Sequence, residues 1–215
     1  MNRSLNEIEA LAKKATRGAG LSWGLAEEAG KATRWLCAMG LPGGECLAAI
    51  LTQNDKVAYD TICPDGFSDV WAAKDGTLCP LTTGASLCDH ASALAGGKVI
   101  NLGTTAFPLL MFPYVAAASD MTGTTLCLSW KGTEITRSEG LSYITSSQSP
   151  DVASTEAAQV KAVPAPDGDP IRRSWRGEMS PEAADILGRF AHRTYAPDTE
   201  ESRLAGAGAG LTDND

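Results

Sequence analysis

Cys88, Asp89 and His90 place a thiol, a carboxylate and an imidazole at three consecutive positions. These are the groups that nucleophilic catalysis by a cysteine uses. On a helix, consecutive side chains point about 100° apart, so this thiol and imidazole are poorly placed to hydrogen-bond each other. Catalysis would then need His192 or another distant group. The pattern favours a buried thiol with Asp89 and His90 at a solvated edge.

The second candidate is the loop from Gly18 to Gly20, which precedes a predicted helix capped by Ser22 and has Arg17 beside it. Backbone amides in such a loop and at a helix N-terminus can bind an anion. The alternative is a helix end followed by a tight turn. The loop follows a helix rather than a strand, and it has neither the lysine of a phosphate-binding loop nor the third glycine of a dinucleotide fingerprint, so the pattern favours the turn. The candidate ligand-binding residues here are Arg17, Gly18, Gly20 and Ser22.

The third candidate is the segment 206–215, which alternates glycine with alanine and ends in Leu-Thr-Asp-Asn-Asp. Glycine lets a chain approach another backbone closely, and the carboxylates could bind a basic surface or a hard cation. A Gly-rich end also buries little surface, which is typical of disorder. Docking in a cleft of this chain, docking on a partner, cation binding and disorder all stay open. The candidate ligand-binding residues in this region are Arg203, Gly208, Gly210, Asp213 and Asp215.

The composition limits the class of partner. Lys and Arg number 18 against 26 Asp and Glu, so the net charge of −8 repels phosphate backbones and argues against nucleic acid. Hydrophobic residues make up 43%, as in folded globular proteins. The longest apolar stretch, 107–118, is too short for a membrane-spanning helix of about 20 residues. The N-terminus lacks the apolar block of a secretory signal. We therefore expect a cytoplasmic protein with no membrane partner.

The chain has six cysteines and two histidines. It contains no Cys-x-x-Cys pair and no histidine at a zinc-ligand spacing from a cysteine. We therefore expect reduced, mostly buried thiols and no metal site built from histidine or cysteine. The sequence leaves the cofactor unknown.

Two helices are predicted at the N-terminus. Ser4 begins the first helix with a capping box completed by Glu7, and Ser22 caps the second helix. Together the two helices form an αα-hairpin. Trp23 and Trp35 on the second helix are predicted to anchor packing rather than to stack on a ligand.

The clearest strand signal is a hairpin over 124–137 with a primed turn at Lys131 and Gly132. Segments 141–144 and 157–163 are predicted to add edge strands. The other predicted elements are a helix over 44–52, an alternating strand over 57–62, a helix over 84–94, a strand over 99–102, a buried helix over 107–119 with a break before Pro113, and a last helix from Ser180 to about Arg193.

Helices at both ends of a central antiparallel sheet predict an α+β fold, with an N-terminal helical hairpin, a C-terminal helix and a Gly-rich tail. We predict a single α+β domain over 1–205. Within it, 1–53 forms a helical subdomain and 54–205 an α+β body. The Gly-rich acidic tail covers 206–215.

Two blocks carry a resemblance to a known family. The first runs over 17–30, Arg-Gly-Ala-Gly-Leu-Ser-Trp-Gly-Leu-Ala-Glu-Glu-Ala-Gly, and the second joins Thr-Tyr-Ala-Pro at 194–197 to Ser202, Arg203 and the Gly-Ala end. Both resemble an uncharacterised bacterial family of unknown function over nearly the whole chain. This resemblance implies one complete protein and no particular activity.

A weaker similarity joins residues 1–40 to the N-terminal helical hairpin of malate/lactate-type NAD(P)-dependent dehydrogenases. The shared features are a helix, a Gly-Leu-Ser joint and a second helix. The dehydrogenase family has a His-Gly motif after the second helix, whereas this chain has Gly-Leu-Pro-Gly at 40–43.

Three functions are compatible with these patterns. The leading hypothesis is a cytoplasmic protein that binds a partner protein or a small anionic ligand, with the C-terminal tail as a docking element. The first alternative is a small-molecule enzyme, a lyase or hydrolase, that uses arginine and carboxylate groups. The second alternative is an accessory subunit of an oxidoreductase.

Overall fold

The structure, a computed structural model, describes residues 1–74 and 76–195. The helices in those residues are α1 (Leu5–Gly18), α2 (Trp23–Ala38), α3 (Gly43–Gln53), α4 (Tyr59–Ile62), α5 (Pro80–Asp89), α6 (Ala91–Ala95), α7 (Phe112–Thr122) and α8 (Pro181–His192). The strands are β1 (Asn2–Ser4), β2 (Val70–Trp71), β3 (Ile100–Leu102), β4 (Thr105–Ala106), β5 (Leu126–Trp130), β6 (Thr133–Ser138), β7 (Leu141–Ser146), β8 (Ser154–Thr155), β9 (Ala158–Ala162) and β10 (Arg176–Glu178).

The main sheet of the described residues has six strands in the order β2-β3-β9-β5-β6-β7. Only β2 and β3 are parallel there, and the other pairs are antiparallel. Two small antiparallel pairs, β1-β10 and β4-β8, lie apart from this sheet. The predicted α+β class is confirmed.

Helix α7 is central to the core because it packs against β5 and β6 on one side and against α5 on another. Its residues Phe112, Val115 and Ala118 are fully buried. A helix covered on several sides is expected to be apolar around most of its circumference. A 3-10 turn over Pro108–Met111 precedes α7, and Pro113 lies in its first turn, where the missing N–H breaks no helical hydrogen bond. The predicted break in the 107–119 helix is therefore confirmed.

Helices from both ends of the described chain pack together in one layer. Helix α1 packs against α2 and α8, and α3 also packs against α8. The predicted capping box is present, since the Ser4 hydroxyl accepts from the Glu7 amide at 3.2 Å and the Ser4 amide donates to the Glu7 carboxylate at 2.8 Å. Hydrogen bonds from Ser4 lower the pKa of Glu7. The cap fixes the start of α1 beside β1.

Two predicted strands differ from the structure. Segment 157–163 was expected at an edge, but β9 lies between β3 and β5 and Val160 is fully buried. Its neighbour β3 is distant in the sequence, and the local pattern of β9 carries no information about that pairing. Segment 57–62 contains the helical turn α4 instead of a strand. Alternation over a few residues does not separate a short strand from an irregular segment that ends in one helical turn.

The hairpin β5-β6 is confirmed, with Trp130 opposite Thr133 across a two-residue turn. The predicted primed type is wrong at this turn, because Gly132 has φ of +75° but Lys131 keeps a negative φ. A type I′ turn needs positive φ at both central residues. That requirement is met in the next hairpin, β6-β7, where Glu139 has φ of +48° and Gly140 has φ of +76°.

The left-handed backbone at Glu139 gives a test of this turn. Asparagine tolerates positive φ far better than glutamate and is favoured in type I′ turns. Glu139→Asn should therefore raise the free energy of unfolding by about 1 kcal/mol in urea unfolding. The matched control is Glu156→Asn, since Glu156 is also exposed but has no positive φ. Equal effects of the two substitutions would show that the turn conformation is not the cause.

Candidate functional site

A cleft of about 670 Å³ lies where the joint between α1 and α2 meets the end of α3, helix α4 and the start of α5. We call it the interhelical cleft. Its walls are mostly apolar, with a few polar groups among them. The described lining residues are Ala19, Gly20, Leu21, Ser22, Leu25, Ile50, Leu51, Asn54, Lys56, Val57, Tyr59, Ile62, Cys79, Leu81 and Thr82.

The joint between α1 and α2 forms one wall of the cleft. Gly20 has φ of +99°, a conformation that suits glycine at the end of a helix. Arg17 Nη1 donates to the Leu21 carbonyl at 2.8 Å, which holds the joint in place. The Ser22 hydroxyl accepts from the Leu25 amide at 3.4 Å and so caps α2. The cap leaves the amides of the first two residues of α2 without an intrahelical partner.

The start of α5 forms the opposite wall. Cys79 is the N-cap residue, and its backbone N–H donates to the Ile62 carbonyl at 2.8 Å. Burial raises the pKa of the Cys79 thiol, although hydrogen bonds from the amides of Leu81 and Thr82 and from the Asn54 side chain act in the opposite direction. The thiol therefore stays protonated at neutral pH. It presents a polarisable, neutral surface to the cleft.

The charge of the cleft is positive. Among its described lining residues Lys56 is cationic, and none is an aspartate or glutamate. Lys56 also has φ of +64°, an uncommon conformation for a residue with a side chain. The N-termini of α2 and α5 add partial positive charge, because helix dipoles are positive at that end. Val57 and Tyr59, both about half exposed, complete the lining near Lys56.

The candidate residues of the 17–22 region separate into two groups. Gly20 and Ser22 line the interhelical cleft. Gly18 instead packs against α8, where a Cβ atom would overlap the Phe190 carbonyl. Arg17 holds the joint through its bond to Leu21, so its guanidinium acts on the backbone of the cleft wall.

Trp23 is not the packing anchor that was predicted. Its side chain is 60% exposed, and its ring lies under Arg17 at 5.1 Å and Lys13 at 6.0 Å. Trp23 is the first residue of α2, whereas the buried face of that helix begins at Ala26. Trp35, the second tryptophan of α2, does pack, in an edge-to-face contact with Phe112 at 5.3 Å.

Cys88, Asp89 and His90 face different neighbours. The Cys88 thiol donates to the Tyr114 carbonyl at 3.4 Å, and burial raises its pKa to about 11. His90 Nδ1 lies 2.8 Å from the Ser86 carbonyl, and the His90 ring packs against aromatic side chains. Asp89 is exposed. The structure therefore places the thiol and the imidazole in separate environments. The aromatic neighbours of His90 are Phe67 at 4.6 Å and Trp71 at 4.9 Å between ring centroids.

The remaining predicted site residues lie outside the described residues. They are Arg203, Gly208, Gly210, Asp213 and Asp215. In the part of the chain that the structure describes, no group of three or more His, Cys, Asp and Glu side chains is placed to hold a metal ion.

Sequence reasoning missed Asn54, Lys56, Tyr59, Cys79 and Thr82 as cleft residues. One local signal was available, because a proline following Cys79 fits the first position of a helix. With this signal, the helix predicted over 84–94 would have been predicted to begin at residue 80. The other four residues come to the cleft only through tertiary packing.

Comparison with known proteins identifies a similar solved structure and a family model that matches part of the chain. No curated protein sequence matches this chain. A solved structure, the crystal structure of malate dehydrogenase from Entamoeba histolytica, is similar with a TM-score of 0.48 and 11% sequence identity, over 68% of this chain and 49% of that chain. This chain thus spans about half the length of that enzyme.

None of the helices in the described residues is both long and apolar enough to cross a lipid bilayer.

The expected resemblance to a family of unknown function is confirmed over the N-terminal part of the chain. Residues 3–78 match the model of the family described as protein of unknown function (DUF3726).

Proposed function

We propose that this protein binds a small ligand with an apolar body and an anionic head group in the interhelical cleft. The observation that carries the proposal is the composition of the cleft: apolar walls, one lysine, two helix N-termini and no carboxylate among its described lining residues. A volume of about 670 Å³ is within the usual range for small-molecule sites.

The apolar walls supply the affinity for the body of the ligand. Leu25, Ile50 and Ile62 are among the aliphatic side chains that line the cleft. Each Å² of apolar surface that a ligand buries there contributes about 25 cal/mol. A chain of several methylene groups would therefore bind with useful affinity even before its head group is considered.

The polar groups select the head group. Lys56 and the partial positive charge at the N-termini of α2 and α5 favour a carboxylate or a phosphate over a neutral or cationic group. The protein as a whole carries a net charge of −8, so this positive cleft differs in sign from the average surface. The exposed Ser22 hydroxyl can orient the ligand further.

The C-terminal tail is proposed as the docking element. The described chain leaves α8 beside the cleft, since Arg193 pairs with Asp55 at 2.7 and 3.0 Å, and Asp55 lies between the lining residues Asn54 and Lys56. A segment of 196–215 can span up to about 65 Å, so 206–215 can reach the cleft. In this proposal the glycine amides face the ligand head group, and the carboxylates of Asp213 and Asp215 pair with Lys and Arg side chains of α1.

A cytoplasmic location is part of the same proposal. All six cysteines are free thiols in the structure, and free thiols are typical of a reducing compartment. The enzyme and accessory-subunit alternatives stay predictions.

Calorimetric titration with matched eight-carbon probes tests the ligand class. Octanoate and octyl phosphate should bind more tightly than octanol, and octylamine should bind least. Lys56→Met should weaken octanoate by about tenfold and leave octanol unchanged, because an ion-paired hydrogen bond contributes roughly 1.5–3 kcal/mol. Leu25→Trp should weaken binding of all four probes, because the larger side chain narrows the cleft.

Lys98→Met is the matched control, since Lys98 is exposed and lies outside the described cleft lining. Octanoate affinity that is unchanged by both Leu25→Trp and Lys56→Met would place the ligand elsewhere and refute the proposal. The tail is tested separately by deleting 206–215, which should weaken octyl phosphate but leave the melting temperature of the ligand-free protein nearly unchanged. If octyl phosphate bound with full affinity after this deletion, the tail would have no role in binding, and the proposed cleft site would be unaffected.

A further inference from the structure

The segment 172–176 has the sequence Arg-Arg-Ser-Trp-Arg, and all five residues are exposed. We call it the basic Trp segment. Trp175 is 93% exposed, the largest exposed fraction among the large hydrophobic side chains of the described residues. Three arginines beside such a ring stand out in a protein of net charge −8. Large exposed apolar groups with polar rims mark interaction sites.

The backbone of this segment is held in place. The Ile171 amide donates to the Ser142 carbonyl at 2.7 Å, and the Ser174 amide donates to the Ala38 carbonyl at 2.7 Å. Arg176 then enters β10 opposite Ser4 of β1. A partner that binds a segment already fixed in this way avoids much of the entropy cost of ordering a loop.

The side chains of the segment have few partners within the described residues. No described carboxylate forms an ion pair with Arg172, Arg173 or Arg176. The exposed ring of Trp23 is covered by cations of α1, whereas no described cation or aromatic ring stacks on Trp175. The Arg176 guanidinium donates to the side chain and the carbonyl of Asn2, so the groups available to another molecule are the guanidinium groups of Arg172 and Arg173 and the ring of Trp175.

A groove of about 540 Å³ adjoins the segment. Ser174 and Arg176 form one part of its lining, and Leu41, Pro42 and Met179 supply apolar surface. Two carboxylates, Glu45 and Glu178, also line it, and Glu45 accepts from the Ser180 amide at 2.7 Å. The apolar part of the groove can receive an apolar side chain, while Arg172 and Arg173, which lie outside the groove lining, contact the acidic residues that flank this side chain in the peptide.

We infer that the basic Trp segment binds a short acidic segment of a partner protein that also carries an apolar side chain. Arginine presents a planar fork that pairs with carboxylates through two parallel hydrogen bonds. Tryptophan and arginine are the residues most often found at the energetic centre of protein interfaces. The recessed groove suits a peptide side chain, which a flat bilayer surface does not provide.

The charge distribution argues against an extended polyanion as the occupant. Charges within a Debye length of about 8 Å interact strongly at physiological salt. A short peptide can contact Arg172 and Arg173 alone, whereas a nucleic acid or an anionic membrane extends onto the acidic remainder of the surface, including Glu45 and Glu178 of the groove.

The test measures fluorescence anisotropy of a fluorescein-labelled peptide of glutamates with one leucine, titrated with the full chain. Binding should saturate and should weaken as salt is added. Trp175→Ala and the pair Arg172→Glu, Arg173→Glu should each weaken binding by about tenfold or more. The charge-reversed pair should instead bind the corresponding lysine peptide, which a general loss of folding would not produce.

The matched control is the pair Lys98→Glu, Lys131→Glu, which makes the same change in net charge at other exposed positions. If the control pair weakened peptide binding equally, net charge alone would explain the effect, and the inference would be overturned. Tighter, Trp175-dependent binding to phosphatidylserine vesicles or to a short RNA duplex would assign the surface to those polyanions instead. Much tighter peptide binding after Asp213→Asn with Asp215→Asn would assign it to the acidic end of this same chain, and would equally overturn a separate partner.

Discussion

Trp71→Ala should lower the free energy of unfolding by about 3–5 kcal/mol, the usual cost of removing a fully buried aromatic side chain. Trp71 has no exposed surface and packs edge-to-face against Phe67 at 4.8 Å and against His90 at 4.9 Å. It also lies in β2, whose parallel pairing with β3 forms one edge of the main sheet. The cavity would therefore open beneath a two-residue strand that has little other support. Urea unfolding followed by circular dichroism measures the change.

Trp23→Ala is the matched control, because it removes the same side chain from a position that is 60% exposed. We expect it to cost less than about 1 kcal/mol. Trp71→Phe should cost much less than Trp71→Ala, since it keeps a ring in the cluster and removes an indole N–H that is buried without a hydrogen-bond partner. Similar losses for Trp23→Ala and Trp71→Ala would contradict the burial that separates the two residues.

These two tryptophans show where sequence reasoning succeeded and where it did not. Trp23 was placed on the correct helix from the Ser22 cap, but its burial was predicted wrongly because it precedes the first turn of the buried face. The burial of Trp71 was not predicted, because its strand has only two residues, too few for an alternation pattern. Its burial depends on β3, about thirty residues further along the chain. Local signals set helix ends, whereas burial depends on long-range packing.

The strands also separate into those that local sequence signals predict and those whose position depends on long-range packing. The β5-β6 hairpin was predicted because its two strands are adjacent in the sequence and their turn is short. The central position of β9 was not predicted, because its neighbours β3 and β5 precede it by more than fifty and about thirty residues. A pairing between such distant segments leaves no periodicity in either one.

For the candidate site, the sequence identified the residues that belong to a local motif. Gly20 and Ser22 were selected as a helix end and a helix cap, and both line the interhelical cleft. Lys56 and Thr82 belong to no such motif, and they reach the cleft because α3 and α5 pack next to the joint of α1 and α2. A polar residue in an irregular segment gives no sign of the cavity that tertiary packing forms around it.

Gly18→Ala should destabilise the protein by about 1–3 kcal/mol, the usual cost of forcing extra atoms into a packed interface. A Cβ atom at this position would overlap the carbonyl oxygen of Phe190 and lie 2.8 Å from its carbonyl carbon. These are backbone atoms of α8, so no side-chain rotation relieves the overlap. Helices α1 and α8 would have to separate at this contact.

The separation should also affect the interhelical cleft, because Gly18 directly precedes the lining residues Ala19 and Gly20. Gly188→Ala is the matched control on the opposing helix. A Cβ atom at Gly188 meets nothing within 4 Å, so this substitution should stabilise α8 by up to about 1 kcal/mol through helix propensity alone. Thermal and urea unfolding of both variants, with octanoate titration of each, would measure the two effects together. A Gly18→Ala variant as stable as Gly188→Ala would contradict the close contact between Gly18 of α1 and the Phe190 carbonyl of α8.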